Sequence, residues 1–156
     1  MKRVVITGGS RGIGAAAVEL FAARGCDVTF LYEKKHDAAA VVAEKTGAKA
    51  ICCDVSDSAA VKAAFEAIGD VDVLICNAGI AHYGLMSMTD EVTWDRVFDV
   101  NVKGMYLCIN AAMPALQTKT STSGMSAKAA FTAATSATSQ QMGIAPVFSA
   151  TFFAAS

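Results

Sequence analysis

The sequence predicts an α/β protein built as a doubly wound parallel sheet in three α/β/α layers. Two observations carry this. Short runs of β-branched and apolar residues alternate with helical patterns of about ten to fifteen residues, which is the rhythm of right-handed βαβ units. The first such run, Val4-Val5-Ile6-Thr7, ends in a loop holding Gly8, Gly9, Gly12 and Gly14, and an alanine-rich helical pattern follows at once. Strand, tight turn and helix start then stand together, with the strands expected in the order 3-2-1-4 and further strands beyond the fourth.

Each element has its own local reason. Residues 3–7 are apolar without alternation, the pattern of a strand buried on both faces. From Gly14 to Arg24 the points Val18, Leu20 and Phe21 stand among alanines, and Gly25 follows where a helix stop belongs. A second strand is expected over Val28 to Tyr32, and a second helix from His36 to Thr46, closed by Gly47. Lys49 to Cys53 forms a third strand; Ser56 or Asp57 caps a helix running to Ile68, which Gly69 ends. Val71 to Cys76 is the fourth strand, and Thr89-Asp90-Glu91 opens a long helical stretch towards Leu116. The segment from Gln117 to Gly124 is too polar for a buried parallel strand.

Bulk properties exclude several classes. At 156 residues the chain reads as a single domain with enough length for a real core. Its formal net charge of −1 offers nothing to nucleic acid or an anionic membrane surface. No apolar run approaches the ~18 residues of a membrane span, and Met1-Lys2-Arg3 is followed by too short an apolar run for a signal peptide. Cys26, Cys52, Cys53, Cys76 and Cys108 form no C-x-x-C pair, which reads as reduced core thiols of a cytoplasmic protein. No metal site is expected.

In an open parallel sheet, ligands bind at the carboxyl ends of the strands. Here those ends carry Gly8–Gly14, Tyr32–Lys35, Asp54-Val55 and Asn77-Ala78-Gly79. Glycines let backbone approach an anion closely, and a helix start adds free N–H groups and partial positive charge. The first strand end therefore suits the phosphates of a nucleotide. Asp54 can accept a hydrogen bond from an adenine amino group or cap the following helix. Asn77 and Gly79 tolerate positive φ, so the chain can bend away from the sheet there. Asn101 lies inside the helical stretch Val97-Phe98-Asp99-Val100-Asn101-Val102-Lys103-Gly104, where an Asn side chain competes with the helix for backbone partners.

Thr7-Gly-Gly-Ser-Arg-Gly-Ile-Gly14, Asp54-Val55, Asn77-Ala78-Gly79 and Asp99-Val-Asn-Val-Lys-Gly104 stand in the order found in the short-chain dehydrogenases/reductases, a family of Rossmann-type fold. Over residues 1 to about 117 the chain resembles that family, most of all its 3-oxoacyl-acyl-carrier-protein reductases. Cys76 replaces the first Asn of the family's Asn-Asn-Ala-Gly. The resemblance implies that Gly8, Ser10, Arg11, Gly12, Ile13 and Gly14 hold phosphate and ribose, that Asp54 and Val55 hold adenine, and that Asn77, Ala78 and Gly79 line the floor. It also implies that Asn101 supports a helix kink and a water chain behind the active site. Tyr32 takes the position where NAD-binding members carry an acidic residue. With Arg11, Lys34 and Lys35 nearby, this favours NADP over NAD, although Glu33 stands against it. The implied substrate is a small-molecule or acyl-carrier-bound carbonyl, and the implied assembly a homo-oligomer, a tetramer or dimer.

The resemblance breaks at the chemistry. The family's proton donor is a Tyr followed four residues later by a Lys, yet Tyr32, Tyr83 and Tyr106 are followed at that spacing by His36, Ser87 and Asn110. Ser126-Ala127-Lys128-Ala129-Ala130 resembles the family's Ser-Ala-x-Lys-Ala-Ala with one residue missing, which makes Lys128 the remnant of the catalytic pair. Ser121 and Ser123 are candidates for the carbonyl-polarising Ser. Residues 118–156 are anomalous: Lys128 is the one charged residue from position 120 onward. Three readings stay open there: a tail from which residues have been omitted, a degenerate terminus that no longer catalyses, or an ordinary flexible tail. The strands at this end are expected to be missing or irregular.

Overall fold

A computed structural model describes residues 1–123, 128–134 and 148–154, with side chains for residues 1–116. The elements run β1 (Arg3–Thr7), α1 (Gly12–Ala23), β2 (Asp27–Tyr32), α2 (His36–Thr46), β3 (Lys49–Cys52), α3 (Ser58–Ile68), β4 (Val73–Cys76), a short 3₁₀ turn (Met86–Met88), α4 (Glu91–Phe98), a π-helical turn (Asp99–Lys103), α5 (Gly104–Ser123), β5 (Lys128–Ala134) and β6 (Phe148–Ala154). Six strands form one sheet in the order β3-β2-β1-β4-β6-β5. β3, β2, β1 and β4 pair in parallel, as the crossover pattern requires.

The strand pleat divides the core into two layers. On one face Val4, Ile6, Val28, Phe30, Val73 and Ile75 pack with Val18 of α1 and with Ala39 and Val42 of α2. On the other, Val5, Leu31, Leu74 and Cys76 pack with Val61, Ala64 and Phe65 of α3 and with Cys108, Ala112 and Leu116 of α5. Adjacent residues of β1 and β4 thus serve opposite layers, which is why these strands read as unbroken apolar runs.

Most boundaries fall where local chemistry puts them. Asp57, not Ser56, caps α3, its carboxylate accepting from the amides of Ala59 and Ala60. Gly47 ends α2 in the left-handed region. Asp90 caps α4 through the amide of Thr93. The fourth strand begins at Val73 rather than Val71, since Asp72 precedes it and holds the Arg3 amide at 2.7 Å. Helix α1 starts at Gly12, so two glycines assigned to the loop belong to its first turn.

The largest departures lie at the end of the chain. The long helix does not stop near Leu116: α5 continues to Ser123, and the polar stretch from Gln117 is helical. Strands are present beyond the fourth, but they are antiparallel: β6 lies against β4, and β5 against β6. Antiparallel neighbours need no helical crossover between them. Gly124, Ser126, Ala127, Gly143, Ile144, Ala145 and Pro146 lie outside the described residues.

Candidate functional site

The candidate site is the crest of the sheet, where β1 to β4 end. β1 finishes at Thr7, which is buried, and its hydroxyl accepts from two amides, Asn77 N at 3.0 Å and Ala78 N at 2.9 Å. The Asn77 side chain answers by donating to the carbonyl oxygens of Thr7 (3.0 Å) and Gly8 (3.3 Å). The amides of Gly8 and Gly9 donate to Leu31 O at 2.8 and 3.1 Å. The loop is therefore tied to both neighbouring strands. Asn77 and Gly79 do not take positive φ. The hydrogen bonds to Thr7 and Gly8 fix this segment beside the loop without a left-handed residue.

Two glycines shape the loop. Gly12 has φ +56°, a left-handed conformation that other residues adopt at a cost, and a Cβ on it would point into open space. A Cβ on Gly14 would collide with the Gly8 carbonyl oxygen, so a bare Cα is what lets α1 close on the end of β1. The first helical bond near the turn runs from Ala15 N to Arg11 O at 3.2 Å, and no side chain caps the helix start. The amides of Gly12, Ile13 and Gly14 thus precede the hydrogen-bond ladder. Gly12, Arg11 and Ile13 are exposed around them. A pyrophosphate fits this opening: free donors, partial positive charge and no side chain in the way.

The neighbouring strand ends come together around it. Tyr32 is half-buried, its hydroxyl 3.2 Å from His36 Nδ1. Lys34 does not stand free for a phosphate, because its Nζ lies 3.0 Å from Glu33 Oε1. Asp54 Oδ1 accepts from the amide and hydroxyl of Ser56 at 2.9 and 2.7 Å, a local turn rather than a helix cap. Arg96 of α4 approaches Asp54 Oδ2 at 3.3 Å. Burial works against the Asp54 charge, but the Ser56 bonds and Arg96 outweigh it and hold the carboxyl below the usual carboxylate range. Val55 is buried against α5, where a Cβ on Gly104 would press on its side chain.

Asn101 sits in the π-helical turn between α4 and α5. Its Oδ1 accepts from Ile80 N at 2.8 Å and its Nδ2 donates to Ile80 O at 2.9 Å. The side chain acts like a strand partner for the segment just past Asn77-Ala78-Gly79, and the helix ladder slips by one residue where it does so. Lys128 opens β5 opposite Ala154, while its side chain lies outside the described part of the structure. Ser121 and Ser123 lie on the last turn of α5, with side chains likewise outside it. Ser10 is half-buried in the loop.

Sequence reasoning missed Arg96 and the buried Thr7. Thr7 carries a signal, a hydroxyl directly before a glycine loop. Arg96 carries none, since its partners lie 42 and 63 residues away. Cys52 also departs from expectation: it is exposed and donates to Glu33 O at 3.4 Å. Cys53, Cys76 and Cys108 are buried free thiols. Burial, with Asp54 nearby, pushes Cys53 up to about 11; burial alone pushes Cys76 up to about 12; burial, with Cys76 and Cys53 nearby, also raises Cys108. Among the described residues no cluster of metal-ligating side chains occurs, and no helix is long and apolar enough to cross a membrane.

A profile described as short chain dehydrogenase matches residues 2–155. The chain belongs to the short-chain dehydrogenase family. The D-xylose 1-dehydrogenase of Caulobacter vibrioides is 39% identical over 120 residues, which cover 74% of this chain and 48% of that protein. Among solved structures, BdcA in complex with NADPH matches with a TM-score of 0.70 and 38% identity, over 73% of this chain and 47% of that one. The 3-ketoacyl-(acyl-carrier-protein) reductase of Brucella melitensis, complexed with NADH, matches with a TM-score of 0.74 and 34% identity, over 78% and 52%. The chain spans about half the length of the dehydrogenases it matches.

Proposed function

We propose that this short-chain dehydrogenase binds NADP(H), with NAD(H) as second choice, and serves reduction of a carbonyl in a 3-oxoacyl thioester or a similar small molecule. The observation that carries the reading is the uncapped start of α1 beside the open face of Gly12. Related structures that hold NADPH and NADH support it. Once bound, the cofactor supplies hydride from its nicotinamide ring. The chain's own part is to hold and orient. Amides of residues 12–14 grip the pyrophosphate, with Gly8, Ser10 and Arg11 around them. Asp54 and Val55 border the adenine, Tyr32 the adenosine ribose, and Asn77, Ala78 and Gly79 the floor. Asn101 backs the proton path, and Lys128 is the surviving member of the proton-donating pair.

A second reading is a dinucleotide-binding protein without catalysis. The absence of any Tyr followed four residues later by Lys favours it. A general acid contributes roughly 10²- to 10⁴-fold in rate, so its loss would spare binding while removing most turnover. Titration with NADPH followed by an oxidation assay with an acetoacetyl thioester separates the two. Binding with turnover supports the reductase, binding alone supports the second reading, and no binding overturns both.

A homo-oligomer, dimer or tetramer, belongs to the same proposal. Trp94, Phe98, Val102 and Tyr106 recur at four-residue spacing from α4 through the π-helical turn into α5, 44%, 46%, 56% and 61% exposed, and the Trp94 and Phe98 rings stack at 4.7 Å. A cytoplasmic setting belongs to the same proposal, on the ground that the five cysteines form no C-x-x-C pair.

A further inference from the structure

At the crest of the sheet, two carboxylates from different strand ends share one guanidinium from α4. Arg96 Nη2 lies 3.1 Å from Glu33 Oε1 and 3.3 Å from Asp54 Oδ2, while Nη1 donates to Ser56 Oγ at 2.8 Å. The three charged side chains are about one-third exposed, at 37%, 33% and 32%. Lys34 reaches Glu33 from the solvent side, but it is 75% exposed and its charge is correspondingly screened. Glu33 follows Tyr32 directly, beside the place where the adenosine ribose of a dinucleotide is expected. A bare carboxylate there favours a ribose 2′-hydroxyl and repels a 2′-phosphate carrying a charge of about −2.

An exposed ion pair contributes little to folding stability. The same charges can matter more to a doubly charged ligand arriving a few ångströms away, because the ligand meets the sum of the local charges. Arg96 changes that sum without standing on either strand end.

We infer that Arg96 is a positioning residue for cofactor choice: by neutralising Glu33 and bracing it against Asp54, it lets this crest accept a 2′-phosphate despite an acidic residue beside it. The inference rests on the dinucleotide-binding reading above. It resolves the conflict between Glu33 and the cations at this strand end. The effect is one of charge, so it should appear in the ratio of NADPH to NADH affinity and fade with salt.

The test is direct binding, read by quenching of the chain's one tryptophan, Trp94, or by calorimetry, for the full chain and for R96Q, E33Q and R96Q/E33Q. R96Q is expected to weaken NADPH on the order of tenfold at low salt while NADH changes less than about threefold. E33Q, which removes one negative charge, is expected to strengthen NADPH, and R96Q/E33Q, which restores the local sum, to bind NADPH within about threefold of the unaltered chain. Equal weakening of both cofactors by R96Q would make Arg96 a plain structural brace and overturn the inference. So would an R96Q/E33Q chain that binds NADPH as weakly as R96Q. If R96Q does not fold, E33Q alone decides: an unchanged ratio of NADPH to NADH affinity would show that the charges at this strand end do not act on the 2′-phosphate and would overturn the inference. Failure of the unaltered chain to bind either dinucleotide would instead overturn the functional reading itself.

Discussion

Asn101 spends both ends of its amide on one backbone position, Ile80, and this pairing ties the π-helical turn to the segment after β4. Replacing it with Ala leaves a part-buried donor and acceptor without partners. Asn101→Ala is expected to lower stability by about 1–3 kcal/mol, measured by urea denaturation. A loss under about 0.5 kcal/mol would mean the turn holds without the side chain. Asp54 gives a pH signature. Its folded-state pKa lies below the ordinary 3.8, so the native chain binds fewer protons than the unfolded one in acid. Its contribution is present above that value and fades as pH falls through the folded pKa. The stability advantage of the wild type over Asp54→Asn at pH 7 should therefore shrink below pH 3.8, by urea midpoint at each pH. At this scale, legibility depended on separation in sequence. Asn101 stood out as a polar residue in an apolar run. Arg96 did not, because nothing near it in the chain announces Glu33 or Asp54.

Among the elements, the opening strand, turn and helix form the most tightly specified unit. Gly14 faces the backbone of Gly8, which cannot move aside as a flexible side chain could. Gly14→Ala is expected to cost about 1–3 kcal/mol through forced displacement of α1, and to weaken dinucleotide binding more than it lowers stability. Thermal melts and NADPH titration check the two effects separately; unchanged binding would place the ligand elsewhere. Helix boundaries were readable where a cap or a glycine marks them, as at Asp57, Gly47 and Gly69. Those lacking such marks shifted. α1 begins at Gly12 because the Arg11 carbonyl already accepts the first helical bond, from the Ala15 amide, although Gly12 itself is left-handed, and α5 runs on through Thr and Ser residues of low helix preference.

For the molecule as a whole, the order of the first four strands followed from the alternation of strands and helices and the right-handed crossover. The last two strands were not readable. Their segments are rich in Ala, Ser and Thr, and they show neither the apolar run of a central strand nor a clean alternation. Assembly is tested on the exposed apolar line along α4 and α5. Phe98→Glu is expected to shift the chain to a smaller species by light scattering with its circular dichroism unchanged. The same mass before and after would remove this face from the interface. Deeper in the molecule, Cys53, Cys76 and Cys108 lie in one apolar layer between the sheet and the helices α3 and α5. A thiol reagent cannot reach them until that layer parts, whereas Cys52 at the rim is open to it. The chain therefore carries its own clock. The slow phase of labelling in native buffer measures how often the helices lift from the sheet, and a bound dinucleotide that braces the crest should lengthen it.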